Sequence, residues 1–175
     1  MNDVGRRPAA VVLGILDEPS HGVIFIERAA HLRNHAGQIG LPGGGMDPHD
    51  ADLQATALRE MQEEVGVDPR RVTFVGTLPV VKARVNNYAV TPFVATIAPG
   101  DLRVDTTETV GVFTVPLETV VGELRDTVLD HGEKRIWGLT GHILRTFVAA
   151  WNDPNDDLRT RVLSRLTPQG RSDLD

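Results

Sequence analysis

The pattern of apolar and polar positions divides the chain into early strands, one central helix, further strands and terminal helices. Residues 8–16 are almost wholly apolar and rich in β-branched side chains, which predicts a strand buried on both faces. A turn containing Pro19 and Gly22 follows, and residues 23–27 are predicted to form the second strand of a hairpin. Further strands are predicted at residues 71–81, 88–97 and 109–115, and a second hairpin within residues 128–137.

The helical pattern is strongest in residues 51–65, where Ala57, Leu58, Met61 and Val65 fall on one stripe. Gly66 follows the stripe and predicts the end of this helix, because glycine readily adopts the left-handed conformation found there. Other helices are predicted at residues 117–124, 141–151 and 157–166, followed by a flexible tail at 168–175. This order of elements predicts an α+β fold in which a mixed β-sheet lies between helical layers.

Two segments before the central helix show neither a helical nor a strand period. Residues 28–40 contain two arginines, two histidines and two glycines, and are interpreted as a loop that meets a polar ligand. Residues 41–45, with the sequence LPGGG, are predicted to form an irregular turn. Such a turn would expose backbone amides and carbonyls to a ligand.

Composition narrows the class of protein. A chain of 175 residues with 41% hydrophobic residues can bury one core, so a single domain over residues 1–175 is expected. The net charge of −6 speaks against broad nucleic-acid binding, which needs a basic surface. The absence of cysteine excludes disulfides and thiolate metal sites. Because no apolar run approaches the ~20 residues that span a bilayer, a cytoplasmic protein without a membrane partner is expected.

The candidate chemistry lies on one face of the central helix. Glu60, Glu63 and Glu64 stand at positions i, i+3 and i+4, so their three carboxylates share that face. Like charges at this spacing repel each other, and either water or a bound cation must offset the repulsion. A solvated acidic surface and a metal site are therefore both open. Ligands that are all oxygen suit Mg²⁺ or Mn²⁺ better than zinc.

The residues around this face resemble the Nudix box. In that pattern a glycine, five residues, a glutamate and seven residues precede R-E-apolar-x-E-E-x-G-apolar, and residues 59–67 (REMQEEVGV) match the second half completely. The first half begins at Gly44 and departs from the pattern, since Asp50 replaces the glutamate and eight residues separate it from Arg59. The resemblance implies a Nudix-type α/β/α sandwich that cleaves a substituted nucleoside diphosphate with Mg²⁺ or Mn²⁺.

Residues 28–44 carry a second resemblance. They read RAxxxRxxxGxxxLPGG, which is similar to the signature of coenzyme A pyrophosphatases within the Nudix family, with Leu41 in place of the usual phenylalanine. This resemblance implies that the partner is a coenzyme A-like nucleotide, cleaved to 3′,5′-ADP and 4′-phosphopantetheine. The alternatives are another Nudix substrate, such as ADP-ribose, NADH or a nucleoside triphosphate, and a Nudix-like module that binds a nucleotide without cleaving it. Monomer and homodimer are both open.

Roles for the metal-site residues follow from the resemblance and the chemistry together. Glu60, Glu63 and Glu64 are expected to hold the cation, with the carbonyl of Gly44 or a neighbouring glycine as a further ligand. One of the carboxylates could instead accept a proton from the attacking water, and the sequence does not single it out. Arg59 is expected to orient a carboxylate rather than to touch the substrate.

The substrate contacts are assigned to cations and to the glycine turn. Arg28 and Arg33 are expected to bind phosphates, and Gly43 and Gly44 are expected to approach the substrate through their backbone. Glu108 is a candidate for a later acid of the site, with a surface position as its alternative. The remaining candidates are interpreted as surface or core: Lys82, Arg84, His31, His35 and His49 as exposed, and Tyr88, Phe93 and Trp137 as core.

Overall fold

The computed structural model describes residues 5–30, 37–83, 87–104 and 108–167. In these ranges the strands are β1 (Arg7–Leu16), β2 (Gly22–Arg28), β3 (Ile39–Gly40), β4 (Gly43–Gly45), β5 (Val72–Thr77), β6 (Val81–Lys82), β7 (Tyr88–Ile97), β8 (Thr109–Pro116), β9 (Leu129–His131) and β10 (Lys134–Ile136). The helices are α1 (Leu53–Val65), α2 (Leu117–Glu123), α3 (Gly138–Asn152) and α4 (Leu158–Leu163), with a short 3-10 turn at Pro69–Arg71.

The main sheet is mixed and is built around β1. One edge of β1 pairs in parallel with β7 over ten residues, from Arg7 opposite Tyr88 to Leu16 opposite Ile97. The other pairings of the main sheet are antiparallel, and the strands follow the order β3-β2-β1-β7-β5, with β4 on β1, β6 on β7 and β8 on β2. The predicted α+β fold with a mixed sheet is confirmed.

Helices cover both faces of the sheet, and the sheet separates two hydrophobic clusters. Successive side chains of a strand point to opposite faces, so Val12 of β1 packs with Met61 of α1 in one cluster. Leu13 packs in the other cluster, with Phe147 of α3. These residues are fully buried, which confirms that β1 is covered on both sides.

Helix α1 begins and ends at residues whose side chains or backbone complete its terminal hydrogen bonds. The Asp52 carboxylate accepts the amide of Ala55 at 2.8 Å, and this N-cap sets the start at Leu53, two residues later than predicted. Gly66 ends the helix with a φ of 68°, as predicted. Its apolar stripe faces the sheet, so the acidic residues reach the edge where β4 lies.

The three glycines form a strand, so the prediction of an irregular turn at residues 41–45 is wrong for residues 43–45, whereas residues 41 and 42 belong to no helix or strand. Gly43 to Gly45 pair antiparallel with Val11 to Ala9 of β1. Strand β2 pairs antiparallel with the other end of β1, where Ile15 lies opposite Val23. A side chain at Gly43 would clash with the backbone of β1, so the strand can approach this closely only because it has none. The sequence period could not reveal a strand without side chains.

The structure also tests the predictions for the second hairpin, the loop at residues 28–40 and the aromatic residues. The hairpin within residues 128–137 is confirmed as β9 and β10. Arg28 ends β2 and Ile39–Gly40 forms β3, so the predicted loop at 28–40 is shorter, and its residues 31–36 lie outside the described ranges. Phe93 is buried and Tyr88 is partly buried, but Trp137 is 52% exposed, and its assignment to the core is wrong. Among the helices described, none is both long and apolar enough to span a bilayer.

Candidate active site

The acidic face of α1 lies against the glycine strand. The Glu64 carboxylate accepts the backbone amide of Gly43 at 2.9 Å. A side chain at Gly44 would occupy the space held by the Glu60 carboxylate. Because these strand positions lack a Cβ, the helix carboxylates can reach the backbone of β4 directly. The structure therefore brings four of the predicted site residues together.

Glu64 is a buried carboxyl with little to compensate its charge. The residue is only 6% exposed, and burial raises the pKa of its carboxyl to about 7. The amide of Gly43 opposes this shift, and the neighbouring charge of Glu60 adds to it. In the described part of the chain, Arg28 is paired with this carboxylate, with Nη1 lying 3.9 Å from Glu64 Oε1. A second positive charge at this carboxylate would therefore be strongly favoured.

Glu60 and Glu63 share the guanidinium of Arg59. Arg59 Nη1 donates to Glu60 Oε1 at 2.8 Å and to Glu63 Oε2 at 3.0 Å. Burial raises the pKa of Glu60, and its hydrogen bond from Arg59 limits that shift. The side chain of Glu63 is 53% exposed and turns toward Arg59.

Arg59 is itself anchored on its other edge by Asp50. Its Nε donates to Asp50 Oδ1 at 3.1 Å and its Nη2 to Asp50 Oδ2 at 3.0 Å, while Nη2 also donates to the carbonyl of Gly45 at 3.2 Å. The Arg59 hydrogen bonds, together with the amide of Asp47, hold the pKa of Asp50 well below its usual range. The bond to Asp50 raises the pKa of Arg59 in turn.

Arg28 and Glu108 lie at the margin of the same site. Arg28 Nη2 donates to Glu108 Oε2 at 3.4 Å, so the guanidinium lies between Glu108 and Glu64. Glu108 is 61% exposed in its side chain. Its place near the cluster fits either of the alternatives set by the sequence, and its role stays a prediction. Arg33, His31, His35 and Arg84 lie outside the described residues.

The oxygen donors fit a hard divalent cation in kind. Glu60 and Glu64 are carboxylates beside the backbone of a glycine strand, and the charge of Glu64 is only partly offset by Arg28 at 3.9 Å. Within the described ranges, however, no three histidine, cysteine or acidic side chains are arranged as ligands of one ion. Among the predicted ligands, both Glu60 and Glu63 are paired with Arg59.

Sequence reasoning underestimated the contacts made by two residues. Asp50 departs from the Nudix pattern in its residue type and in its spacing from Arg59, although it does follow Gly44 at the expected distance. The Tyr88 hydroxyl lies against Gly45, 2.9 Å from where a Cβ would stand. Tyr88 reaches this place from a strand distant in sequence, so no local pattern signals the contact.

Comparisons with known proteins agree with this geometry. Residues 5–136 match the family model of the NUDIX domain. The chain is 38% identical to a protein of Salmonella paratyphi B described as the uncharacterized Nudix hydrolase NudL, over 81% of each chain.

Solved structures show the same fold. A MutT protein from Methanosarcina mazei aligns with a TM-score of 0.59 and 17% identity, over 86% of this chain and 99% of that one. The NUDIX domain of Shewanella oneidensis NrtR, solved with ADP ribose, aligns with a TM-score of 0.51 and 20% identity, over 67% and 77%. With the family model and the NudL relative, these alignments lead to one conclusion: the chain belongs to the Nudix hydrolase family.

Proposed function

We propose that this Nudix hydrolase cleaves the pyrophosphate of coenzyme A or of a coenzyme A derivative, with Mg²⁺ or Mn²⁺, to give 3′,5′-ADP and 4′-phosphopantetheine. The observation that carries the choice of substrate is the position of Arg28, the first residue of the segment 28–44. The pattern of this segment is similar to the coenzyme A pyrophosphatase signature, and its first arginine, Arg28, lies 3.9 Å from Glu64 of the acidic cluster. The segment that would select the substrate therefore begins beside the residues that would cleave it.

The acidic residues of α1 would hold the cation. Glu60 and Glu64 are the nearest donors to the glycine strand, and Glu63 and the carbonyl of Gly44 complete the proposed set. When bound, a divalent cation shields phosphate oxygens, lowers the pKa of water and stabilises the leaving phosphate. A carboxylate of the cluster takes the proton of the attacking water.

Hydrogen bonds from the backbone and from Arg59 would orient the three glutamates of the proposed metal site. The amide of Gly43 fixes Oε2 of Glu64, so the proposed cation would bind Oε1, the oxygen that faces Arg28 at 3.9 Å. Arg59 donates to Glu60 and Glu63 and so limits the directions in which they can point. None of these contacts requires Arg59 to touch the substrate.

Arg28 would bind a substrate phosphate. Its guanidinium pairs with Glu108 and lies near Glu64, and its side chain is one-quarter exposed. A phosphate monoester such as the 3′-phosphate carries more charge than a carboxylate and can accept two hydrogen bonds from one guanidinium, so it would compete for these donors. Arg33, the second arginine of the segment, is proposed to act with it on the 3′-phosphate.

A side-by-side hydrolysis assay tests the proposal. Coenzyme A, dephospho-coenzyme A, ADP-ribose, NADH and a nucleoside triphosphate would be compared with Mg²⁺ and with Mn²⁺, and products identified by chromatography. We expect kcat/KM for coenzyme A to exceed that for each alternative by on the order of tenfold or more, because arginines that pair with the 3′-phosphate would lose that contact in an analogue without it. A preference of that size for ADP-ribose would overturn the proposed substrate, and absence of all turnover would favour a binding module.

A further inference from the structure

A second cleft lies away from the acidic cluster, beside the hydrophobic cluster on the face opposite α1. Its volume of about 580 Å³ is typical of small-molecule pockets. The cleft contains His21, the residue before β2, whereas Arg28 of the acidic cluster ends that strand, so roughly 20 Å of strand separates the two sites. The apolar side chains that line the cleft come from α2, α3, α4 and the residues after α4: Leu117, Val121, Trp151, Leu163 and Leu166.

We propose that this cleft binds a small molecule with an apolar body and one carboxylate head group. The apolar side chains would cover the body of the ligand, and His21 and Arg159 would bind its head group. This site is separate from the candidate active site and does not depend on the proposed hydrolysis.

The His21 side chain is a buried polar group that lacks a hydrogen bond. It is 9% exposed, and within the described ranges its Nδ1 has no hydrogen-bond partner. The Asp17 carboxylate lies 3.7 Å from Nδ1, beyond hydrogen-bond distance, and already accepts the amide of Thr167 at 2.8 Å and its hydroxyl at 2.9 Å. Buried polar groups are rarely left unpaired. A carboxylate in the cleft would give this imidazole the acceptor that it lacks.

The backbone of His21 holds the imidazole at the cleft. Its amide donates to the carbonyl of Glu18 at 2.8 Å, and its carbonyl accepts the amide of Leu117 at 3.1 Å. The residue has a φ of 44°, in the left-handed region that few residues other than glycine adopt. Because the backbone is bonded both to the turn after β1 and to the start of α2, the ring has a fixed position in the wall of the cleft.

Arg159 supplies a cation for the head group. It is exposed at the cleft, with its guanidinium carbon 5.8 Å from the centre of the Trp151 ring. In the part of the chain that the structure describes, Arg159 makes no ion pair, and the nearby Asp157 is paired with Arg161 instead. A guanidinium packed on an aromatic ring keeps the N–H groups in its plane available, and a carboxylate can accept two of them.

Glu118 makes it necessary to choose between head groups of opposite charge. It lines the cleft from the first turn of α2 and is exposed. An ammonium group would pair with Glu118, but Arg159 would repel it and it could not supply an acceptor to His21. A carboxylate pairs with both Arg159 and His21, and its repulsion from an exposed glutamate is reduced by water and salt. The combination of charges therefore favours an acid.

Three compounds with the same apolar body test the choice of head group: octanoate, octanol and octylammonium. Each would be titrated into the isotope-labelled protein below its micelle concentration, and the Kd obtained from NMR shifts of the Gly122 amide and the Trp151 indole N–H, two groups of the cleft. R159Q removes the proposed contact. R165Q is the matched control, because Arg165 is also exposed and follows α4 but does not line the cleft.

We expect octanoate to bind the wild-type protein at least about tenfold more tightly than octanol or octylammonium, because only octanoate pairs with a charged donor. R159Q should raise the Kd for octanoate by about tenfold and leave that for octanol within about twofold. E118Q should lower the Kd for octanoate, since a repulsive charge is removed. R165Q should keep the octanoate affinity within about twofold of wild type.

The absence of saturable shifts with octanoate, the same Kd for the three compounds, or wild-type octanoate affinity in R159Q would overturn the inference. Tighter binding of octylammonium that is lost in E118Q would show a cation site and contradict it as well. If the same resonances shift on dilution of the protein alone, the cleft is covered by a second copy of the chain, and the inference fails. No measurement here uses a metal or a nucleotide, so these outcomes are distinct from a failure of the proposed hydrolysis.

Discussion

The buried surroundings of Glu64 disfavour the ionised form of its carboxyl. Burial raises the pKa of this carboxyl to about 7, from an ordinary value of 4.5, and the amide of Gly43 only partly offsets the effect. Such a group costs stability when ionised and gains from a cation. Its burial is therefore a clue to function more than a contribution to the stability of the fold.

The raised pKa of Glu64 predicts how stability depends on pH in the metal-free protein. Between pH 4.5 and about pH 7 the folded state holds a proton that the unfolded state has released, so stability falls as pH rises through this window. The fall attributable to Glu64 is on the order of 3 kcal/mol, since one unit of pKa corresponds to about 1.4 kcal/mol. E64Q should remove this component. Urea unfolding at pH 5 and pH 8 with a chelator tests it, and an equal fall in both proteins would contradict it.

Arg28 is expected to contribute to substrate binding. R28A should lower kcat/KM for coenzyme A by about 10 to 100-fold, because a charge-assisted contact contributes about 1.5 to 3 kcal/mol. The loss should be smaller for dephospho-coenzyme A if Arg28 binds the 3′-phosphate. Arg70 is an exposed arginine paired with Asp68, so R70A is the matched control and should leave both substrates unchanged. Equal losses on the two substrates would place Arg28 at the pyrophosphate instead.

At this scale the residue types of the site could be predicted and their geometry could not. The spacing of Glu60, Glu63 and Glu64 fixes a common helix face, so their clustering was predictable. The contact of Asp50 with Arg59 depends on the turn closed at Asp47, which no period in the sequence encodes.

Among the elements, strand β4 lies between β1 of the sheet and the acidic residues of α1. It pairs with the first half of β1 and presents its backbone to α1. Its strand character could not be predicted, because glycines carry no alternation of polar and apolar side chains. By contrast, β1 was predictable from its continuous apolar run, and the end of α1 from Gly66.

The glycine strand should tolerate no side chain at its centre. G44A would place a methyl group in the space of the Glu60 carboxylate, and we expect it to lower kcat by roughly tenfold or more while the protein stays folded. G40A is the control, because a Cβ at that strand glycine would meet Ile26 only at an ordinary 3.9 Å. Steady-state kinetics and circular dichroism of both variants give the answer. Full activity in G44A would mean that Glu60 need not lie against β4.

Across the whole molecule, the sheet lies between the helix that carries the candidate active site and the larger hydrophobic cluster. Helix α1 and its acidic face lie on one side, and the larger hydrophobic cluster, with α2, α3 and α4, lies on the other. Strands β1 and β7 pair in parallel over ten residues at the centre of this sheet. The two strands are distant in sequence, so the sequence indicated the class of fold but not this pairing.

Core substitutions on the two faces should differ in their effect on the site. F147A, on the face away from α1, should lower the free energy of unfolding by about 3 to 5 kcal/mol while Mn²⁺ binding by the folded protein is retained. M61A, within α1, should lower it by about 2 to 5 kcal/mol and also weaken Mn²⁺ binding. Denaturant unfolding gives the free energy of unfolding of each variant, and calorimetry on the same samples gives its Mn²⁺ affinity. Equal losses of Mn²⁺ affinity would show that the two faces are not independent.

The central claim is that the carboxylates of α1 act together as a divalent-cation site. Calorimetric titration of Mn²⁺ into the wild-type protein and into E64Q, both with 3′,5′-ADP present, tests this most directly. We predict saturable binding to the wild-type protein and a Kd at least roughly tenfold higher in E64Q, because one charged ligand is lost. Absence of binding to the wild-type protein, or the same affinity in both proteins, would contradict the account.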